Sequence, residues 1–152
     1  MGQEPPGSIP VQFAPEIFGN EFHANLVFSP DGSSVYWSEM EGSQIQFMER
    51  RADGWTLPHT VPFALPAGTG EPMLAPDGET LFFVSSEPIE GDDGENIWRV
   101  TRTANGWSEP EPIGSGVNSH SLHWTPSVSR DGTLYFSAGD IYRSRLNDGV
   151  YE

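Results

Sequence analysis

Two histidines are the residues of this chain best suited by type and spacing to contact a ligand. His23 and His123 each lie eight residues before the aspartate of an Asp-Gly pair, Asp31-Gly32 and Asp131-Gly132. The equal spacing predicts that both imidazoles occupy the same position of a repeated unit. Because imidazole can donate, accept or bind a cation near neutral pH, the pair predicts a polar ligand or cation site. The alternative is that both rings only bond to water or backbone.

Glu71 and Trp124 extend this candidate site. Glu71 lies six residues before Asp77 of a third Asp-Gly pair, which places it two positions further along the matching strand. Trp124 follows His123 directly, and an indole ring can stack on a sugar or a peptide. We therefore expect a ligand-binding group of His23, Glu71, His123 and Trp124 beside the central channel of the fold described below.

No motif in the sequence predicts a metal, a cofactor or a catalytic residue. His120 and His123 are three residues apart, but no third ligand follows at a spacing typical of zinc sites. The loop 87–96 carries five carboxylates and lacks the alternating Asp-x-Asp-x-Asp-Gly pattern of calcium loops. The nearest match to a nucleophile elbow, Gly106–Pro110, ends in proline. The chain has no cysteine, so disulfides and thiol chemistry are excluded.

The charge of the chain is strongly one-sided. Seven arginines and no lysine oppose 22 acidic residues, for a net charge of −15. Such a surface repels phosphate backbones and anionic lipids, so we expect neither nucleic acid nor a membrane as partner. Residues 1–10 lack the basic and apolar segments of a signal peptide. The sequence thus leaves two possibilities, a cytoplasmic protein or a piece of a chain whose leader has been lost.

Three similar segments predict the elements that position these side chains. They begin at Phe28, Leu74 and Val128 and align without gaps through their Asp-Gly pairs. In such a turn aspartate bonds to the local backbone and glycine accepts a positive φ, so the turn joins two antiparallel strands. The predicted turn residues are Asp31, Gly32, Asp77, Gly78, Asp131 and Gly132.

The strands around each turn predict a sheet that is packed on both faces. The strand after the turn, for example Leu81–Val84, is almost continuously apolar, which is typical of strands covered on two sides. The prolines of the last strand, such as Pro58 and Pro110, place that strand at a sheet edge. The third strand of each unit begins at an isoleucine: Ile45, Ile97 and Ile141. Four strands in a period of about 50 residues are typical of propeller blades.

We therefore predict an all-β fold, a β-propeller segment of about three four-stranded antiparallel blades. The expected parts are a tail (1–10), the outer strand of a preceding blade (11–22), two blades (23–64 and 65–114) and an incomplete blade (115–152). Known propellers close with about four to eight blades. The chain is therefore expected to be either a fragment or half of a homodimer that completes a six-blade ring.

The repeats resemble the WD40-like β-propeller repeats of TolB-like bacterial proteins. The resemblance covers residues 12–152 and rests on the turn Ser29–Gly32, the aromatic second strands and the segment Gly106–Ile113. It implies a non-catalytic recognition or scaffolding module that binds a protein or glycan. It also implies a longer exported bacterial protein, periplasmic or extracellular. The alternative is a propeller glycosidase or lyase, or the gating propeller of a peptidase, whose active site is completed by parts outside this chain.

Overall fold

The computed structural model describes residues 5, 7–18, 22–39, 44–91 and 94–152, and for residues 22–25 only the backbone. The described chain forms antiparallel sheets with a single helical turn. The predicted all-β class is therefore confirmed. None of the described residues belongs to a helix with the length and apolar character that crossing a bilayer requires.

The first sheet contains β1 (Phe22–Phe28), β2 (Ser34–Glu39), β3 (Ile45–Arg51), β4 (Gly54–Trp55) and β5 (His59–Thr60). Both β4 and β5 pair with β3, β4 at its carboxyl-terminal end and β5 near its beginning. They are two parts of one outer strand, interrupted around Pro58 because proline has no N–H to donate to the ladder. The sheet is thus a four-stranded meander with a broken outer edge.

The second sheet repeats this arrangement. It contains β6 (Gly70–Leu74), β7 (Thr80–Ser85), β8 (Asn96–Thr103), β9 (Gly106–Trp107) and β10 (Glu111–Pro112). Here β9 and β10 both pair with β8 and form the interrupted outer strand. Pro110 follows Gly106-Trp107 at the same distance as Pro58 follows Gly54-Trp55, so the outer strand is interrupted at the same place in both sheets.

The third sheet contains β11 (Trp124–Val128), β12 (Leu134–Ala138) and β13 (Asp140–Ser144), followed by the hairpin of β14 (Leu146–Asn147) and β15 (Val150–Tyr151). This hairpin matches the β8–β9 hairpin of the second sheet. Its Tyr151 is buried and meets Phe82 of the second sheet with ring centroids 5.8 Å apart. Burial raises the pKa of Tyr151 above its ordinary value.

The interpretation of residues 11–22 as an outer strand is wrong. Pro15–Phe18 form the helical turn α1, and among the described residues of this range only Phe22, the first residue of β1, lies in a strand. Proline is well tolerated at the first helical position because its missing N–H would have no partner there. Ile17 and Phe18 donate their N–H groups to the carbonyl of Ala14 at 2.9 and 3.1 Å.

The three Asp-Gly turns each connect the first and second strands of a sheet. Gly32, Gly78 and Gly132 have φ values of +68°, +77° and +83°. In each turn the aspartate accepts a hydrogen bond from the backbone N–H two residues later, at 2.9 to 3.1 Å. The turns place these carboxylates beside the start of the second strand of each sheet. The candidate site lies near the other end of these strands.

The third turn is one residue shorter than the second, which corrects the gapless alignment of the repeats. Val128 pairs with Leu134, whereas Leu74 pairs with Leu81, and the first of these pairs encloses one residue fewer. A gapless alignment would equate Leu81 with Tyr135. Because side chains alternate between the two faces of a strand, that alignment would assign every side chain of β12 to the wrong face. The shorter turn keeps Leu134 on the face that Leu81 occupies in its own sheet.

Most of the core lies in two layers between neighbouring sheets, and a smaller buried cluster of Val35, Trp37 and Met48 lies on the other side of the first sheet. The layer between the first and second sheets contains Tyr36, Ile45, Phe63, Leu81, Phe83, Trp98 and Val100. The layer between the second and third contains Phe82, Val84, Ile97, Ile113, Val128, Leu134 and Phe136. The predicted cover on both faces holds for β2 and β7. It is wrong for β12, where Tyr135 is 39% exposed because no described sheet packs on that side.

Candidate functional site

A cavity of about 370 Å³ lies where the first and second sheets meet the start of the third. The first strands of the three sheets, β1, β6 and β11, lie against one another along this edge. The lining includes three carboxylates, those of Glu39, Glu71 and Glu95, and the ring of Trp124. None of the described residues that line the cavity is an arginine. The structure thus places Glu71 and Trp124 in the lining of one acidic pocket, and their contact with a ligand stays a prediction.

Glu71 is positioned by a β-bulge. The pairing of β6 with β7 shifts between Gly70 and Met73, and Glu71 has a φ of +52°. The matching bulge of β11 contains Thr125, with a φ of +47°. A bulge adds a residue to one strand, bends it and redirects its side chains, and is common beside functional sites. The left-handed conformation of two non-glycine residues costs free energy that the surrounding contacts must offset.

Hydrogen bonds tie each bulge to the preceding sheet. The N–H of Glu71 donates to the hydroxyl of Ser38 at 2.8 Å. The N–H of Thr125 in turn donates to a carboxylate oxygen of Glu71. The carboxylate of Glu71 therefore joins the second and third sheets at the cavity wall. This bond fixes its position before a ligand arrives.

Glu95 places one of its carboxylate oxygens in a buried position beside the cavity. Its Oε2 atom is buried and has no hydrogen-bond partner among the described residues. The backbone around it is fixed, since the N–H of Glu95 donates to the carbonyl of Ser121 at 3.2 Å. Burying a carboxylate oxygen without a donor costs free energy.

Trp124 supplies the apolar part of the site. It begins β11, pairs with Ser137 and is 42% exposed. An indole in this state offers a face on which a planar or cationic group can stack. The cavity therefore combines a stacking surface with hydrogen-bond acceptors.

His123 does not line the cavity, and the prediction that it contacts a ligand is wrong. Its side chain is fully buried. Nδ1 lies 2.6 Å from the carbonyl oxygen of Glu95, and Nε2 lies 2.9 Å from that of Val117. Both carbonyls are acceptors, so the doubly protonated ring can donate to both and a neutral ring to only one. The ring also packs against Phe136, with centroids 5.6 Å apart, so His123 has a structural role.

The side chain of His23 lies outside the described residues, so its predicted contact with a ligand stays a prediction. Its backbone belongs to β1 and immediately precedes Ala24, which pairs with Ser38. His123 likewise precedes Trp124, which pairs with Ser137. The two histidines therefore occupy matching positions of the first and third sheets.

Sequence reasoning missed Glu39 and Glu95. It assigned Glu95 to the acidic loop 87–96, whose residue Glu87 accepts a hydrogen bond from the N–H of Ala67 at 3.0 Å. The signal that could have separated Glu95 from the loop is its position directly before Asn96, where β8 begins.

Within the part of the chain that the structure describes, no three His, Cys, Asp or Glu residues lie close enough to hold a metal ion.

Comparison with known proteins establishes the fold and nothing finer. Neither a family model nor a curated protein matches the sequence. Among solved structures, the chain is similar to the crystal structure of TolB from Acinetobacter baumannii, with a TM-score of 0.52 and 14% identity. The similarity covers 84% of this chain and 30% of the TolB chain. Together with the sheet topology, it shows a propeller-like all-β fold.

Proposed function

We propose that this chain is a non-catalytic recognition module that binds a basic segment of a protein partner. The single observation that carries the proposal is the cavity, which is lined by the partly exposed Trp124 and by the acidic residues Glu39, Glu71 and Glu95. A propeller-like scaffold supports this proposal without deciding it, because one fold hosts many unrelated functions.

The chemistry of the cavity favours a lysine or arginine side chain. An ammonium or guanidinium group can form charge-assisted hydrogen bonds with the acidic residues that line the cavity, Glu39, Glu71 and Glu95. The same cation can lie over the ring of Trp124. The net charge of −15 would raise the encounter rate with a basic partner, most strongly at low salt.

A glycan is the second ligand class, favoured by the exposed Trp124 ring. Sugar rings stack on tryptophan, and carboxylates accept hydrogen bonds from sugar hydroxyls. A glycan would gain less than a basic peptide from the negative field, because it carries no positive charge. We therefore propose the peptide and make the glycan an outcome of the same experiment.

Titrations of the ¹⁵N-labelled protein at 0.15 M salt would test the proposal, with hexa-arginine and chitohexaose as probes. We expect the peptide to shift the indole N–H signal of Trp124 and the backbone amides of residues 67–71. The variants Trp124→Ala and Glu95→Gln should each weaken the binding by about tenfold, equivalent to about 1.4 kcal/mol. Glu109→Gln removes the same charge from an exposed position outside the cavity and should leave the affinity unchanged.

Three results would contradict the proposal. Peptide-induced shifts spread evenly over the acidic surface would indicate non-specific attraction. Shifts with chitohexaose alone would replace the peptide by a glycan. Shortening of chitohexaose during the titration would show a glycosidase and remove the non-catalytic role.

We also propose that the full-length protein is periplasmic or extracellular. The support is the resemblance to exported bacterial propellers and the fold likeness to TolB. Fractionation of the source cells with an antibody against this domain would test it. Recovery with the cytoplasmic fraction would contradict it.

A further inference from the structure

A second cavity, of about 300 Å³, lies between the second and third sheets at the end that carries their Asp-Gly turns. We infer that this cavity binds a free α-amino acid with an apolar side chain. Its lining includes Thr80, which begins β7, whereas the acidic cavity includes Ser85, which ends the same strand. The two cavities are therefore separate, and binding here does not depend on the proposed function.

Two opposite charges line this second cavity and do not pair with each other. Asp77 belongs to the turn of the second sheet and Arg130 to the turn of the third, and both are exposed. The ion pairs of the described residues, Arg51 with Glu49 and Arg99 with Glu111, involve neither of them. Space between two such charges suits a ligand that carries both signs. An α-amino acid does so, because its amino group is protonated and its carboxyl group ionised near neutral pH.

Asp77 has fewer hydrogen-bond donors than the other two turn aspartates. Asp31 and Asp131 each accept from the hydroxyl of a serine two residues earlier, at 2.6 Å. Ala75 stands at that position in the second turn and has no hydroxyl. Among the described residues, only the N–H of Glu79 donates to Asp77, at 2.9 Å. The carboxylate of Asp77 therefore retains acceptor sites for an ammonium group.

The hydroxyl oxygen of Tyr151 is a second acceptor for that ammonium group. The hydroxyl donates its proton to the carbonyl of Gly132 at 3.1 Å, and its oxygen can still accept a hydrogen bond. Burial raises the pKa of Tyr151, Arg99 opposes that rise, and the carboxylate of Asp77 adds to it. Asp77 thus lies close enough to act electrostatically on the phenol, as a shared ammonium site requires.

Arg130 supplies the group for the ligand carboxylate. A guanidinium can donate two parallel hydrogen bonds to a carboxylate. Within the part of the chain that the structure describes, the side chain of Arg130 has no hydrogen bond or ion pair. Arg99 is already paired with Glu111 at 2.7 Å. The neighbouring carboxylate of Asp131 is held inside its own turn by a hydroxyl and a backbone N–H.

Apolar side chains complete the lining. Ala75, Phe82 and Val128 belong to the core layer between the two sheets, and Leu146, which is 43% exposed, lines the cavity with them. An apolar ligand side chain would extend this layer and leave water. The volume is at the lower limit of small-molecule sites, which suits a single amino acid.

A comparison with the first two sheets explains why this space is apolar. Leu146 pairs with Tyr151 as Arg102 pairs with Trp107, so the leucine and the arginine occupy equivalent positions. The guanidinium of Arg102 lies 4.0 Å from the centroid of the Trp107 ring and donates to the hydroxyl of Tyr36 at 3.1 Å. The shorter leucine has no donor and reaches less far. The third unit therefore leaves apolar space beside Tyr151.

Titrations of the ¹⁵N-labelled chain with leucine, leucinamide, N-acetylleucine and glycine would test the inference. We expect leucine to shift the backbone amides of Gly132 and Leu146 in a saturable manner, with a dissociation constant of about 1 mM. The other three probes should bind at least tenfold more weakly. Leucinamide lacks the carboxylate, N-acetylleucine lacks the ammonium group, and glycine lacks the apolar side chain.

Variants of the two charged residues extend the test. Asp77→Asn and Arg130→Gln should each weaken leucine binding at least tenfold. The asparagine keeps an oxygen that can accept from the N–H of Glu79, so the turn is preserved. Asp53→Asn and Arg145→Gln are the matched controls, because each removes the same charge from an exposed residue outside the lining. Both controls should leave the affinity for leucine unchanged.

Several results would overturn the inference. One is the absence of saturable shifts up to about 20 mM leucine, well above the expected dissociation constant. Equal affinity for leucinamide would contradict the role of Arg130, and equal affinity for N-acetylleucine would contradict that of Asp77. Leucine shifts confined to residues 67–71 would place the ligand in the acidic cavity instead. The melting temperature shows whether each variant has folded, and Arg130→Gln decides if Asp77→Asn has not.

Discussion

Three hydrogen bonds hold the carboxylate of Asp31 in the first turn. Its Oδ1 accepts from the Ser29 hydroxyl at 2.6 Å, from the Ser33 hydroxyl at 2.7 Å and from the Ser33 N–H at 3.0 Å. These bonds favour the ionised form, and the Ser29 hydroxyl first among them lowers the pKa of Asp31 to about 2. The Ser129 hydroxyl likewise lowers the pKa of Asp131.

The depressed pKa of Asp31 predicts a pH-dependent stability. A carboxyl group whose pKa is lower in the folded state stabilises the fold above its unfolded pKa of about 3.9, and this contribution is lost as the pH falls toward 2. Asp31→Asn should therefore be less stable than wild type at pH 6 and should approach it near pH 2, as measured by urea denaturation. Glu109→Gln controls for the change in net charge. A constant difference across this range would contradict the assignment.

The burial of His123 predicts a large loss of stability on truncation. His123→Ala removes a fully buried ring and its contacts with two carbonyls, so the free energy of unfolding should fall by about 2 to 3 kcal/mol. His59→Ala is the matched control at an exposed position, with an expected change within about 0.5 kcal/mol. Similar small losses in both variants would show that the ring is not essential to the core.

At the level of the elements, local chemistry made the turns and strands predictable. Glycine at positive φ and nearly continuous apolar runs determine where the strands lie, as at Gly78 and Leu81–Val84. The bulge at Glu71 is flanked by Gly70 and Pro72, residues that often mark a bulge within a strand, but this signal was not used. The shorter third turn is also visible in the sequence, because Thr133–Phe136 follows Gly132 directly, whereas the similar segment Thr80–Phe83 is separated from Gly78 by Glu79; the gapless alignment missed this difference. The burial of His123 depends on the carbonyls that surround it, which its sequence neighbours do not reveal.

The second turn gives a test of the glycine requirement. Gly78 has a φ of +77°, and a Cβ added there would lie 3.2 Å from Cδ of Pro30. Gly78→Ala should therefore lower the free energy of unfolding by about 1 to 2 kcal/mol. Gly70→Ala, where a Cβ would meet nothing within 4 Å and φ is not positive, should change it by less than about 0.5 kcal/mol. Equal effects in chemical denaturation would exclude strain as the cause.

At the scale of the whole molecule, the three sheets differ in how fully they are covered. The second sheet packs on both sides, whereas the third is open on the side of Tyr135 and Ile141. Local opening costs less free energy where fewer apolar contacts must be broken. Hydrogen exchange in the monomer should therefore be slower in β7 than in β12. The reverse order would contradict the stacking order of the sheets.

We attribute the proposed recognition role to one acidic cavity with a partly exposed indole. Isothermal titration of hexa-arginine at 0.15 M salt, into wild type and the double variant Trp124→Ala/Glu95→Gln, tests it most directly. We predict one peptide per chain for wild type and an affinity at least tenfold lower for the double variant. Equal affinities, or several equivalent peptides bound per chain, would contradict the claim.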